Sequence, residues 1–159
     1  MNLENYTHLA FFSGLCATDI QLLAPFFVPQ TWVAGTVVFE QGDYAVHLYL
    51  VVSGEMTIRY KPDDGPVMNI THVLPGGIFG WSAAMGNPAY TSGAVCALDT
   101  EVLRIRGADL RMLSEKHPDL GKVILERLSA IIAERQRGQQ SRVNSMLASG
   151  MRQQPNAND

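Results

Sequence analysis

The stretch Phe79–Val95 reads FGWSAAMGNPAYTSGAV and has the composition of a tight loop that returns to a strand. It opens on a Phe-Gly pair, continues through small residues to a Gly-Asn-Pro turn, and ends on small apolar residues. Glycine and alanine let a backbone approach a ligand closely, so this is the outline of a loop that wraps a phosphate. It carries no Asp, Glu, Lys or Arg, however, and its large side chains include Trp81 and Tyr90.

The residues around this loop have the pattern of an antiparallel β domain. From 32 to 105, short runs of Val, Ile, Thr, Tyr and Phe alternate with Gly, Asp, Asn and Pro at spacings of roughly 8 to 12 residues, which is typical of a sandwich or barrel. The segment Met56–Leu74 predicts one long hairpin. Asp64-Gly65 is its predicted tight turn, with a positive φ.

Helices are predicted on both sides of this β region. Leu9–Phe27 favours short helices before it, and residues 108–137 favour two helices after it, with Pro118 in the first turn of the second. The second helix carries an apolar stripe that looks wider than one sheet face requires, which predicts a homodimer through residues 118–137. Residues 138–159 are expected to form a weakly helical to disordered tail. The predicted domain therefore covers residues 1–137.

The overall composition fits one globular domain. The chain has 159 residues, 47% hydrophobic and 17% charged, with no apolar run long enough for a transmembrane helix and no secretory signal at the N-terminus, so we expect a cytoplasmic protein. Ten of the twelve basic residues lie from Arg104 onward, but acidic residues are interleaved with them. Mixed signs are typical of solvated helices, so DNA binding is not expected.

The residues usually used in catalysis or metal binding form no recognisable motif. No two of the four histidines (His8, His47, His72 and His117) are separated by two or four positions, and Cys16 and Cys96 stand far apart. A GxSxG motif, a P-loop and an EF-hand are all lacking. We therefore expect neither an enzyme nor a metal or cofactor site, and a cupin-type metalloenzyme is disfavoured.

Four fragments in a fixed order carry a resemblance to a known family. They are VVFEQGD (Val37–Asp43), HLYLVVSGEM (His47–Met56), the loop with its preceding PGGI, and EVLRI (Glu101–Ile105). Followed by two helices, this order resembles the cyclic-nucleotide-binding domain superfamily of catabolite activators and kinase regulatory subunits, over about residues 9–137. The resemblance implies a mainly β fold with flanking helices: an antiparallel, jelly-roll-like β-roll with N-terminal helices and two C-terminal helices.

The resemblance also implies which residues would form a ligand site. In the family, a short helix after the Phe-Gly pair presents backbone N–H groups to the cyclic phosphate, a glutamate holds the ribose hydroxyl and an arginine pairs with the phosphate. The last two positions are Trp81 and Tyr90 here, so cyclic AMP and cyclic GMP should bind weakly or not at all. The implied site residues are Phe79, Gly80, Trp81, Ser82, Ala83, Ala84, Tyr90, Thr91 and Ser92, with Arg135 of the last helix.

Several interpretations of this variant site stay open. Trp81 and Tyr90 can plug the pocket, can hold a smaller aromatic or apolar ligand, or can leave some nucleotide binding. Arg135 either faces the pocket or complements the end of its helix. The favoured function is a stand-alone, noncatalytic regulatory module that senses a small molecule or a partner protein. The alternative is a transcriptional regulator that lacks a DNA-binding domain or acts through a partner, because only about 20 residues follow Gly138, too few for a winged helix-turn-helix.

Overall fold

The computed structural model describes residues 3–133. Short 3₁₀ helices and one α-helix come first: Glu4–Tyr6, Ala10–Phe12, α1 (Ala17–Leu23) and Ala24–Phe26. Eight strands follow: β1 (Val28–Trp32), β2 (Val37–Phe39), β3 (His47–Ser53), β4 (Met56–Tyr60), β5 (Met68–Val73), β6 (Ile78–Phe79), β7 (Gly93–Cys96) and β8 (Thr100–Arg106). The helix α2 (Gly107–Lys116) comes next, and α3 is helical over residues 118–133.

The strands form two four-stranded antiparallel sheets with the orders β1-β8-β3-β6 and β2-β7-β4-β5. This confirms the predicted mainly β fold with helices on both sides. The first strand begins at Val28, before the expected boundary at Trp32, because residues 28–32 pair with β8. Arg135, the end of the predicted last helix and the tail at 138–159 lie outside the described residues.

Alternation along the strands separates two hydrophobic clusters. The inner cluster lies between the two sheets, and its members are Phe39, Tyr49, Val51, Met56, Ile58, Val73, Phe79, Ala83, Tyr90, Ala94, Cys96 and Val102. The outer cluster joins the first sheet to the helices, and includes Phe11, Phe12, Leu48, Leu50, Leu103, Ile105, Leu110, Leu113, Leu120, Ile124 and Leu128. On β8, Val102 faces the inner cluster while Leu103 and Ile105 face the outer one, as a period of two requires.

The apolar stripe of α3 is largely buried within the same chain. Leu120, Ile124 and Leu128 are 3%, 3% and 8% exposed and belong to the outer cluster. The outer cluster therefore covers these three residues of the stripe, and the excess width that the sequence predicts concerns the residues beside them. Leu125, on another side of α3, is 65% exposed.

The hairpin of β4 and β5 is present, but its turn differs from the expected one. The two strands pair from Met56 with Val73 to Tyr60 with Met68, so residues 61–67 form the connection. Gly65 does not have a positive φ, and its N–H donates to Pro62 O over 3.3 Å. A connection of this length does not need the mirror-image turn that a two-residue hairpin loop requires.

Candidate functional site

The loop that follows β6 is a series of turns over residues 81–86 and not the short helix that the resemblance implied. Gly80 and Gly86 bracket it with φ values of +75° and +78°, a left-handed conformation that interrupts a helix at either end. The Ala83 N–H donates to Gly80 O over 3.1 Å, and the Asn87 N–H donates to Ser82 O over 3.0 Å. By the resemblance, the backbone N–H groups that would face a ligand are those of Ser82, Ala83 and Ala84. This set is incomplete, because the Ala83 N–H is used inside the loop.

Tyr90 lies inside the roll and bonds to its wall. Its side chain is 5% exposed, and its ring stacks on Phe39 with 3.6 Å between centroids and 12° between planes. The Tyr90 hydroxyl donates to His47 O over 2.7 Å and accepts from the His47 N–H over 3.1 Å. Both backbone groups of His47 at the start of β3 are thus paired by one side chain of the loop.

Backbone hydrogen bonds fix the same tyrosine from the other side. The Tyr90 N–H donates to Asp43 O and the Gly42 N–H donates to Tyr90 O, both over 2.9 Å. The Ala45 N–H donates to Pro88 O over 3.0 Å. The connection between β2 and β3 therefore runs alongside the loop, and these bonds together with the two hydroxyl bonds determine where the Tyr90 ring lies.

Further aromatic rings fill the space beside Tyr90. Tyr49 stacks on Phe79 with 4.7 Å between centroids and 8° between planes, and Trp32 meets Tyr49 edge to face at 5.8 Å. The cavity left at the loop is about 10 Å³, lined by Phe39, Ile58, Gly80, Trp81, Ser82, Tyr90, Thr91 and Ser92. A volume of this size holds about one water molecule, whereas ligand pockets measure roughly 300–1,000 Å³.

The two phenols in the roll are neutral groups. Burial is the main cause that raises the pKa of Tyr90 above its ordinary value of 10.0, and the hydrogen bonds with the backbone at His47 and Val46 oppose it. Burial likewise raises the pKa of Tyr49. Neutral phenols donate and accept hydrogen bonds but supply no fixed positive charge for a phosphate.

Trp81 does not fill the interior of the roll. Its side chain is half-buried and packs against the outer cluster, on the helix side of the first sheet, although it also borders the small cavity. Ser82 is 7% exposed, Ser92 is half-buried and Thr91 is exposed. The side chain that lies inside the roll is therefore Tyr90, while Trp81 borders the cavity from the side of the outer cluster.

The loop is attached to α2 by contacts that sequence reasoning missed. The Arg111 guanidinium donates a hydrogen bond to Ala83 O. A Cβ atom on Gly107 would stand 2.0 Å from that same oxygen, so the first residue of α2 lies directly against the loop. No local pattern signals either contact, because Arg111 and Ala83 are 28 residues apart.

No metal centre or membrane span is found within residues 3–133. In this part of the chain, no three His, Cys, Asp or Glu side chains come together in a way that suits a metal ion. Among the same residues, no helix combines the length and the apolar character needed to cross a bilayer.

Comparisons with known proteins agree with this geometry. Residues 29–117 match the family model described as the cyclic nucleotide-binding domain. A Cyclic AMP receptor protein of Thermus thermophilus is 28% identical over 126 residues, which make up 79% of this chain and 56% of that protein. This chain therefore spans little more than half the length of that relative.

Solved structures show the same fold. A protein of Geobacter metallireducens GS-15 that is named for cyclic nucleotide binding superposes with a TM-score of 0.76 at 27% identity, over 85% of this chain and 98% of that chain. A cyclic nucleotide-binding domain from Methylobacillus flagellatus KT gives a TM-score of 0.78 at 20% identity, over 91% of this chain and 81% of that one. Since the family model covers more than half of the residues, including the loop and almost all of both sheets, this chain belongs to the cyclic nucleotide-binding domain family.

Proposed function

We propose that this chain is a noncatalytic regulatory module in which the usual cyclic-nucleotide site is closed by Tyr90, and which responds to a different small molecule or to a partner protein. The observation that carries the proposal is the double hydrogen bond between the Tyr90 hydroxyl and the backbone of His47, together with the stacking on Phe39. The family relationship supports ligand sensing in general. The closed loop argues against cyclic AMP and cyclic GMP as the ligands.

The energetic cost of admitting a nucleotide follows from these contacts. Tyr90 would have to leave the roll, which breaks two hydrogen bonds worth about 1 kcal/mol each and an aromatic stack worth about 1 kcal/mol. A cost of about 3 kcal/mol lowers the apparent affinity by roughly 100-fold, because only the open fraction binds. The arginine–phosphate contact is also lost, which removes about 1.5–3 kcal/mol more.

A signal would leave the site through the contact with α2. Ala83 O accepts the hydrogen bond of Arg111 and packs against Gly107, so a change in the loop alters the surroundings of α2 directly. In turn, α2 and α3 share the outer cluster through Leu110, Leu113 and Ile124. The module is therefore proposed to act on its partner through the C-terminal helices.

The test is calorimetric titration of the whole chain with cyclic AMP and with cyclic GMP. We expect no affinity in the low-micromolar range, which would require about 8 kcal/mol of binding free energy. Low-micromolar binding of either nucleotide would overturn the closed-site proposal.

A double variant tests whether this site differs from the nucleotide sites of the family only in the side chains at positions 81 and 90. Trp81→Glu with Tyr90→Arg restores the two family side chains and should gain roughly 2–5 kcal/mol of nucleotide affinity, from two charge-assisted contacts less the cost of repacking. Tyr90→Ala is the matched control, because it opens the cavity without adding a cation. Urea unfolding must show that each variant is folded, since Trp81 packs in the outer cluster. A folded double variant that binds no better than Tyr90→Ala would show that the loop backbone has also lost its phosphate-binding shape.

A further inference from the structure

Basic side chains line the inner face of the first sheet at one end of the roll. On β8, Arg104 and Arg106 follow Val102 at intervals of two residues, so they share the face that Val102 presents to the inner cluster. The strand register places Arg104 beside Tyr49 and Arg106 beside His47 on β3. We name the set Arg104, Arg106 and His47 the basic end.

These cations are not neutralised by close acidic partners within the described residues. The Arg104 Nε atom is shielded from solvent and has no hydrogen-bond partner there. One ion pair is observed within residues 3–133, between Arg59 Nη2 and Glu40 Oε1 at 4.0 Å. This pair lies on the other sheet. A buried donor without an acceptor costs about 1–3 kcal/mol and is rare in folded proteins, so Arg104 calls for an acceptor group.

The electrostatic field at this end is positive. The pKa of His47 is lowered from its ordinary value, first by burial and then by the charges of Arg104 and Arg106, while Asp109 on α2 acts in the opposite direction. The nearby hydroxyl of Tyr90 is already paired with the His47 backbone, and Tyr49 is a neutral phenol. Two arginine cations and one carboxylate thus act on His47, which leaves an excess of positive charge.

From this arrangement we infer that the basic end is a binding site for a small dianionic oxyanion, of which a phosphate monoester is the natural form. Two guanidinium groups match a dianion in charge, and a guanidinium fork binds phosphate oxygens through paired, charge-assisted N–H···O bonds. The basic side chains belong to β3 and β8 and not to the loop at 79–92, although the backbone of His47 is bonded to the Tyr90 hydroxyl. The inference does not require the proposed function to hold.

One consequence concerns protonation. An anion held beside His47 favours the charged imidazolium, so binding should raise the pKa of His47. By linkage, a given charge state of the anion should bind more tightly to the protein with protonated His47. Because a phosphate monoester loses its second negative charge at about pH 6, the affinity is compared at one fixed pH at which the anion stays a dianion. The groups that face this imidazole are Arg104 and Arg106 from β8, Asp109 from α2 and Tyr49 from its own strand.

The experiment is an NMR titration of the His47 ring in the whole chain with inorganic phosphate, at constant ionic strength set with potassium chloride. We expect a saturable shift of His47 and a raised His47 pKa, with His8, His72 and His117 unaffected. Arg104→Met keeps much of the side-chain bulk and removes the charge, and should weaken phosphate binding by about ten- to a hundredfold. Arg59→Met, which removes a basic residue from the other sheet, is the matched control and should leave binding unchanged.

Other results of the same experiment would overturn the inference. If phosphate shifts His47 no more than chloride does, or if Arg104→Met and Arg59→Met behave alike, the site does not exist. Should Arg104→Met fail to fold, Arg106→Met carries the test, because Arg106 is exposed and tolerates substitution. In that case unchanged phosphate affinity in Arg106→Met would overturn the inference.

Discussion

Tyr90 shows how a single side chain can complete the wall of the roll. Its ring fills the space next to Phe39, and its hydroxyl satisfies both backbone groups of His47. An arginine at this position would need an anion as its partner, whereas a tyrosine can complete the wall of the roll with neutral hydrogen bonds. At this scale, the proposed closure of the site depends on the chemistry of one residue.

The first prediction concerns the Tyr90 hydroxyl. Tyr90→Phe keeps the ring but leaves the His47 N–H and C=O without their partner, so we expect a loss of about 1–3 kcal/mol in the free energy of unfolding. Urea unfolding measures the loss. Tyr44→Phe is the control, because Tyr44 is 86% exposed and should change stability by less than about 0.5 kcal/mol. Equal effects of the two substitutions would mean that the hydroxyl bonds add nothing to stability.

At the scale of elements, the contact between the loop and the helix α2 determines where the loop lies. The loop has no helix of its own, and its position depends on the start of α2 through Gly107 and on the helix side chain Arg111. Gly107 also donates its N–H to Val46 O over 2.9 Å, which ties α2 to the residues before β3. Direct contacts therefore connect α2 to the loop and to the residue before β3.

The second prediction tests this contact by overpacking it. Gly107→Ala places a Cβ atom 2.0 Å from Ala83 O, so either the loop or α2 must shift. Overpacking of this kind costs about 1–3 kcal/mol, which exceeds the gain of up to about 1 kcal/mol that alanine brings to a helix. Thermal and urea unfolding measure the loss. Ala108→Ser, at the exposed neighbouring position, should be nearly neutral; a Gly107→Ala protein as stable as that control would contradict the close contact.

For the whole molecule, the arrangement of α3 determines which surface is available for assembly. Leu120, Ile124 and Leu128 are buried in the chain's own outer cluster, so they cannot also form an interface without unfolding it. Within the described part of α3, Leu125 is a large apolar residue that is 65% exposed. A dimer through this helix, which stays a prediction, should therefore be centred on Leu125.

The third prediction follows from that exposure. If the chain dimerises through α3, light scattering will give twice the monomer mass of 17.4 kDa, and Leu125→Asp will return it to the monomer without loss of monomer stability, because the residue contributes little to the core. Leu98→Asp is the matched control, since Leu98 is 54% exposed in the turn before β8. A wild-type monomer at high concentration, or a dimer that survives Leu125→Asp, would count against this interface.

The sequence by itself determined the fold and the type of residue at each site position. Strand alternation, turn glycines and the order of four fragments are local or nearly local signals, and both sheets formed where those signals lie, apart from the earlier start of β1 at Val28. The absence of a charged pair at positions 81 and 90 is likewise a property of the sequence alone.

Only the tertiary structure decided what those residues do. Tyr90 bonds to a residue 43 positions away and Arg111 to one 28 positions away, and no local pattern encodes such partners. Trp81 and Tyr90 look equivalent in the sequence, yet one packs among the helices and the other fills the roll. The sequence likewise does not predict that Arg104 Nε lacks a hydrogen-bond partner, because this depends on how the strands pack. The physical reason is that side-chain type is fixed residue by residue, whereas burial and hydrogen-bond partners are created when distant segments meet.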